Sequence, residues 1–193
     1  SDRTTELYNG WTDGVNEISA RVDEALDGVG PALDGFRDGL DLLSQFSNSL
    51  EEVFDQITAS SDDMQAALDE GKEGIDTLNG AIEEISGALD DISAAADKIA
   101  AAMGDTDKVE AAVKDMIKAL NNANGEVKNI ATALSKIGDA CDKLEEWVNG
   151  KDFKNLSDGI TDLGESMQDV TKALSKMSAA LQKITGSIGA DEI

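Results

Sequence analysis

The sequence predicts an all-α fold: an elongated antiparallel helical bundle, or coiled coil, of about four long helices with no sheet. Three observations carry this. Apolar residues recur at seven-residue spacing over most of the chain, no stretch alternates with a period of two, and aromatic residues make up only 4% of the composition beside a single proline. Few rings means a thin core, which suits long helices laid side by side.

The first element spans about 5–59. Steps of seven from Val15 give Val22, Val29, Phe36, Leu43, Leu50 and Ile57, and the frame continues through Met64, Gly71, Leu78, Ile85, Ile92 and Ile99. A second stripe four places on holds Leu26, Leu33, Leu40, Phe54, Leu68, Ile75, Ile82 and Leu89, with Ser19, Ser47 and Ser61 as exceptions. Between them runs a stripe of small residues, including Gly39, Ala67, Gly74, Ala81, Ala88, Ala95 and Ala102. Three adjacent stripes make an apolar face wider than a two-stranded seam. Gly28-Val29-Gly30-Pro31 should kink or interrupt this helix, since proline lacks the N–H and crowds the preceding turn.

A second helix is expected over 61–103. Ala59-Ser60-Ser61-Asp62-Asp63 reads as a helix start, with serines to cap and acids for the first turn. Its end is marked by Gly104, suited to a C′ position, and Asp105 or Thr106 suits the next N-cap. A third helix over 106–148 carries Val109, Val113, Met116, Leu120, Ala123, Val127, Ile130, Leu134, Ile137, Cys141, Leu144 and Val148 in alternating steps of four and three. Asn149-Gly150-Lys151-Asp152 reads as a turn. The last helix, about 152–188, repeats the pattern through Phe153, Leu156, Ile160, Leu163, Met167, Val170, Leu174, Met177, Leu181, Ile184 and Ile188.

The heptad frame passes residue 60 without slipping, which leaves a second arrangement open: one kinked helix of about 100 residues with the remainder folded back as a hairpin. Similar helix lengths and the wide apolar face favour the bundle. Both arrangements place the two chain ends together, within one elongated domain covering 1–193.

Formal net charge is −24. That disfavours nucleic acid, whose binding needs a basic patch, and anionic lipid surfaces. The charge is uneven: residues 1–105 hold 25 acids and 5 bases, residues 106–193 hold 15 and 11. Lysines of the second half are therefore expected beside acids of the first. No run of 18 apolar residues exists, so this chain carries no membrane span. Without an initiator methionine or a signal peptide, it reads as part of something longer.

Nothing in the sequence assembles a catalytic, cofactor-binding or metal-binding set, and no cofactor is implied. Histidine is absent, removing the commonest general base and metal ligand. Cys141 is the lone cysteine and falls on a core stripe, where a thiol acts as a small hydrophobe. The acid pairs Glu51-Glu52, Asp62-Asp63, Glu83-Glu84 and Asp90-Asp91 fit a solvated helix face better than a cation site. Asp105-Thr106-Asp107 echoes a calcium loop but lacks its turn glycine. An enzyme is not expected.

Glycines are the oddest feature: 18 in the chain, many inside helical heptads. Each costs a helix interior about 0.8–1 kcal/mol relative to alanine. Close backbone approach is the expected compensation at Gly39, Gly71 and Gly74, which lie on the apolar stripes; Gly80 and Gly87 lie at the edge of the face, where packing and local bending are equally open readings. Trp147 beside Val148 is expected to plug a bundle end, while Tyr8 and Trp11 fit either a bundle cap or the approach to a membrane.

Leu7-x-x-Gly10, Trp11-x-x-Gly14, Phe36-x-x-Gly39, Leu68-x-x-Gly71 and Leu156-x-x-Gly159 share one spacing. The repeat resembles the Leu-x-x-Gly heptads in ectodomains of the YhgE/Pip family, bacterial membrane proteins related to phage infection protein, with an ABC-2-type membrane domain. Other heptads here read Leu-x-Gly or Ile-x-Gly, as at Leu33–Gly35 and Ile85–Gly87. The resemblance implies a non-catalytic helical ectodomain on the extracellular face of a bacterial cell membrane, related to transport, secretion or phage reception. It implies a spacer and protein-interaction module, tethered to the membrane through the rest of the protein. The expected partners are other proteins or a second copy in a homodimer, and not nucleic acid. The alternative from another class is an intracellular signalling or scaffold coiled coil.

Overall fold

The computed structural model describes residues 2–102 and 104–148, together with 154, 155, 158, 159, 161–165, 167–169, 172, 175, 176, 178 and 179. The protein is all-α, with four long helices and no strand among the described residues. Helix α1 is Asp2–Gln56, α2 is Asp62–Ala101 and α3 is Thr106–Leu144. Every described residue between 154 and 179 is helical, and these form α4.

The break after Gln56 overturns the single helix of about 100 residues. Ile57 N–H closes on the Phe54 carbonyl at 3.2 Å, a tightened turn that stops the helix. Ser61 then adopts extended backbone, and its hydroxyl accepts the Met64 N–H at 3.2 Å, with Asp62 and Asp63 filling the first turn of α2. The heptad frame survives the break for a packing reason. Ile57, inside the connection, packs against the same core that Leu50 and Met64 enter from either side.

The second reversal follows Ala102, whose N–H is shared between the Lys98 and Ile99 carbonyls. Gly104 supplies the left-handed φ of +99° that the turn needs, two places after the cap rather than at C′. Asp105 caps α3 by accepting the Lys108 N–H at 3.3 Å. At its far end α3 stops at Leu144 rather than 148, where the chain tightens into a turn with the Trp147 N–H donating to the Leu144 carbonyl at 3.0 Å. The expected turn at Asn149-Gly150-Lys151-Asp152 lies outside the described residues, as do the last helix's bounds at 152 and 188.

Pro31 does not interrupt α1. It is exposed, so the Asp27 carbonyl that loses its helical donor lies on the watered side, while Val29 and Leu33 are buried and hold the inner side.

Neighbouring helices run antiparallel. Arg37 reaches Asp90, and the Ser47 hydroxyl donates to Asn79 Oδ1 at 2.6 Å, which sets α1 against α2. Glu70 pairs with Lys143 and Glu73 with Lys136, which sets α2 against α3. Gly159 meets Phe46, Gly39 meets Met167 and Gly164 meets Leu134, so α4 closes the ring against both α1 and α3. The two α2–α3 ion pairs bring lysines of the second half onto acids of the first, as the charge asymmetry suggested. Helices α2 and α3 have 40 and 39 residues, whereas α1 has 55. By its register with α2, roughly the first 23 residues of α1 run about 35 Å past the α2–α3 turn.

One core runs the length of the bundle. Phe36, Leu43, Leu50 and Phe54 of α1 meet Leu78, Ile85, Leu89, Ile92 and Ile99 of α2 and Met116, Leu120 and Ile130 of α3, all fully buried. The stripes anticipate this set residue by residue. Ser47, the break in the second stripe, is buried and satisfied by Asn79.

The inner glycines are seats for neighbouring side chains. A Cβ at Gly71 would lie 2.7 Å from the Phe54 ring, one at Gly74 2.8 Å from Ile137 Cγ1, and one at Gly39 3.3 Å from Met167 Sδ. Gly159 seats Phe46 in the same way, at 2.8 Å. Gly80 and Gly87 face open space, with nothing within 4 Å of a would-be Cβ, so packing does not account for them.

Candidate functional site

The bundle has two unlike ends. At one, α1 runs beyond the Gly104 turn, and α4 runs toward the same end, with Ala179 near the level of Asp27. The side chains of Tyr8 and Trp11 lie outside the described residues. Arg3 through Leu7 are exposed, Leu7 at 70%.

At the other end, the 57–61 connection lies beside the last turn of α3. Val148 is half-buried against the core, while Trp147 is 39% exposed. Trp147, expected from the sequence to plug this end, therefore does not: the chain turns after Leu144 and leaves the indole facing outward.

Beside Trp147 the first turns of α2 and the last turn of α3 enclose a groove of about 290 Å³. Ala66, Ala67 and Trp147 line it together with the charged Asp63, Glu70, Lys143 and Glu146. The two alanines let the helices approach and leave room beside them. Lys143 Nζ donates to Glu70 at 2.9 Å, and that hydrogen bond, with the carboxylate's charge, raises the lysine's pKa. Among the described residues, Asp63 and Glu146 form no ion pair, so the three carboxylates of this lining outnumber its lysine.

Further along the same α2–α3 seam, Gly87 and Gly125 face a wider groove of about 570 Å³, bordered by Glu84, Asp91, Asn122 and Glu126. It is polar and lacks a large apolar side chain. The open Gly80 and Gly87 border solvent on this outer side of α2.

The chemistry of single residues is quiet. Cys141 is 1% exposed, and burial, with the nearby charges of Asp142 and Glu145, pushes its thiol up to about 12. A thiol held protonated is a packing group rather than a nucleophile. Among the described residues no cluster of three His, Cys, Asp or Glu side chains is placed to hold a metal ion. The acid pairs Glu51-Glu52, Asp62-Asp63, Glu83-Glu84 and Asp90-Asp91 are exposed, and among the described residues only Asp90 of the eight engages another helix through an ion pair, with Arg37 at 3.0 Å. No described helix is long and apolar enough to cross a membrane.

Compared with known proteins, the chain matches no family model and no curated protein.

Proposed function

We propose that this chain is a non-catalytic, elongated helical ectodomain of a bacterial membrane protein of the YhgE/Pip kind, serving as a spacer and protein-interaction module. The observation that carries this reading is the polarity of the bundle. Helix α1 extends past the Gly104 turn at one end, the end toward which α4 also runs, and the opposite end presents a short connection and an exposed tryptophan. A rod with one extended end and one short-looped end suits an anchor at the first and a partner at the second. The rod is about 60 Å long over α2, so it holds that far end well away from its anchor. A continuous core of interlocked helices resists bending, which lets a displacement at the tip reach the base.

The reading is tested on the parent protein in intact cells. Ser60→Cys, in a Cys141→Ala background, places one accessible thiol at the far end. A membrane-impermeant maleimide is expected to label it without lysis. Labelling only after lysis contradicts the ectodomain and favours the intracellular scaffold.

A further inference from the structure

We propose that the groove beside Trp147 docks an arginine-bearing segment of a protein partner. The proposal deepens the interaction-module reading and rests on it, adding the place and the chemistry of the contact.

Four observations converge there. Trp147 is exposed at the far end, whereas Val148, the next residue, packs against the core. Tryptophan at 39% exposure on a chain with seven aromatics is a concentrated apolar contact, of the type that dominates interface energies. The adjoining groove is large enough for one long side chain, with lining alanines that accept an aliphatic stem. Its lining carries Asp63 and Glu146, and Lys143, its one cation among the described residues, is already bonded to Glu70.

The combination selects arginine over other occupants. A guanidinium stacks on an indole face while its N–H groups bond carboxylates in the same plane. Lysine matches the charge but not the planar stacking. An acidic or phosphorylated segment meets like charge at these carboxylates, and again in the field of a chain with net charge −24. That field also speeds the approach of a basic partner, while the groove supplies the specific seat.

The test uses the intact chain carrying Trp11→Phe, so that intrinsic fluorescence reports Trp147 alone. Titration with a tetra-arginine peptide at physiological salt is expected to give a saturable change in emission. Tetra-lysine binds more weakly, and tetra-glutamate gives no change. Glu146→Gln, which lies outside the helices and leaves the fold intact, weakens tetra-arginine binding severalfold, and adding Asp63→Asn weakens it further, to roughly tenfold. Asp34→Asn with Asp38→Asn removes the same charge from α1 far from the groove and changes the affinity less than twofold. A change that does not saturate, or equal weakening by the two pairs of substitutions, overturns the proposal and leaves only general attraction to an acidic surface. Such a failure is separable from failure of the ectodomain reading, which the cell-surface labelling decides on its own.

Discussion

Two stretches of α2 solve one packing problem in opposite ways. Around Gly71 and Gly74 the glycines face inward, and the neighbours fill the space: the Phe54 ring and Ile137 sit where side chains would be. From Gly80 onward, Ala81, Ala88 and Ala95 line the core, and the glycines, Gly80 and Gly87, have turned outward to open space. Glycine in the earlier stretch is a seat that offsets its helix penalty. In the later stretch no contact offsets it, and the penalty stands. A helix can thus carry one residue type for structural need at one turn and without it two turns later.

The largest effect that can break this comparison is loss of the seated ring. Phe54→Ala is expected to destabilise by about 3–5 kcal/mol, read by urea unfolding. In that background Gly71→Ala should be far less harmful, because the ring contacts have gone and only a tight approach to Ala140 Cβ at 3.3 Å is left. If Gly71→Ala is equally harmful with and without the ring, the seat is not the reason for the glycine.

Cys141 packs opposite the tight stretch and probes its dryness. Burial pushes its thiol from 9.0 up to about 12, so the folded state prefers the protonated form. Stability from this group is full below about pH 9 and is lost as pH rises toward 12. At pH 10 the loss is roughly 1–2 kcal/mol, and Cys141→Ala removes that part of the slope. An identical alkaline slope in both proteins contradicts a buried thiol.

Next in size are the inner glycines alone. Gly71→Ala and Gly74→Ala are expected to cost roughly 1–2 kcal/mol each, overpacking outweighing the gain in helix propensity. The smallest effect has the opposite sign. Gly80→Ala and Gly87→Ala should stabilise by about 0.5–1 kcal/mol each, seen as a higher urea midpoint with unchanged slope.

Much of this arrangement is readable from residues alone, for identifiable reasons. The reversals at 57–61 and 102–105 are marked by Ser61, Gly104 and Asp105, whose side chains or backbone freedom act locally. The core follows from the stripes, because helical periodicity fixes which face is buried. Gly39, Gly71 and Gly74 are legible because they fall on those stripes. The Phe46–Gly159 seat is not, since it depends on how α4 registers on α1 across more than a hundred residues. The Ser47–Asn79 bond was hidden for the same reason, with Ser47 appearing only as a gap in the second stripe. Trp147 shows the limit at the candidate site. Its position near a turn was clear, but whether it faces core or water depends on where α3 stops, four residues before the periodicity does.

The bundle itself is tested most directly by joining α1 to α2. Arg37 Nη2 and Asp90 Oδ1 lie 3.0 Å apart, whereas one continuous helix would separate residues 53 positions apart by about 80 Å. In a Cys141→Ala background, Arg37→Cys with Asp90→Cys is expected to be bridged within one chain by a short bismaleimide, giving a monomer of altered gel mobility. Unbridged thiols, or crosslinking only between chains, would contradict the antiparallel α1–α2 pairing on which the glycine seats depend.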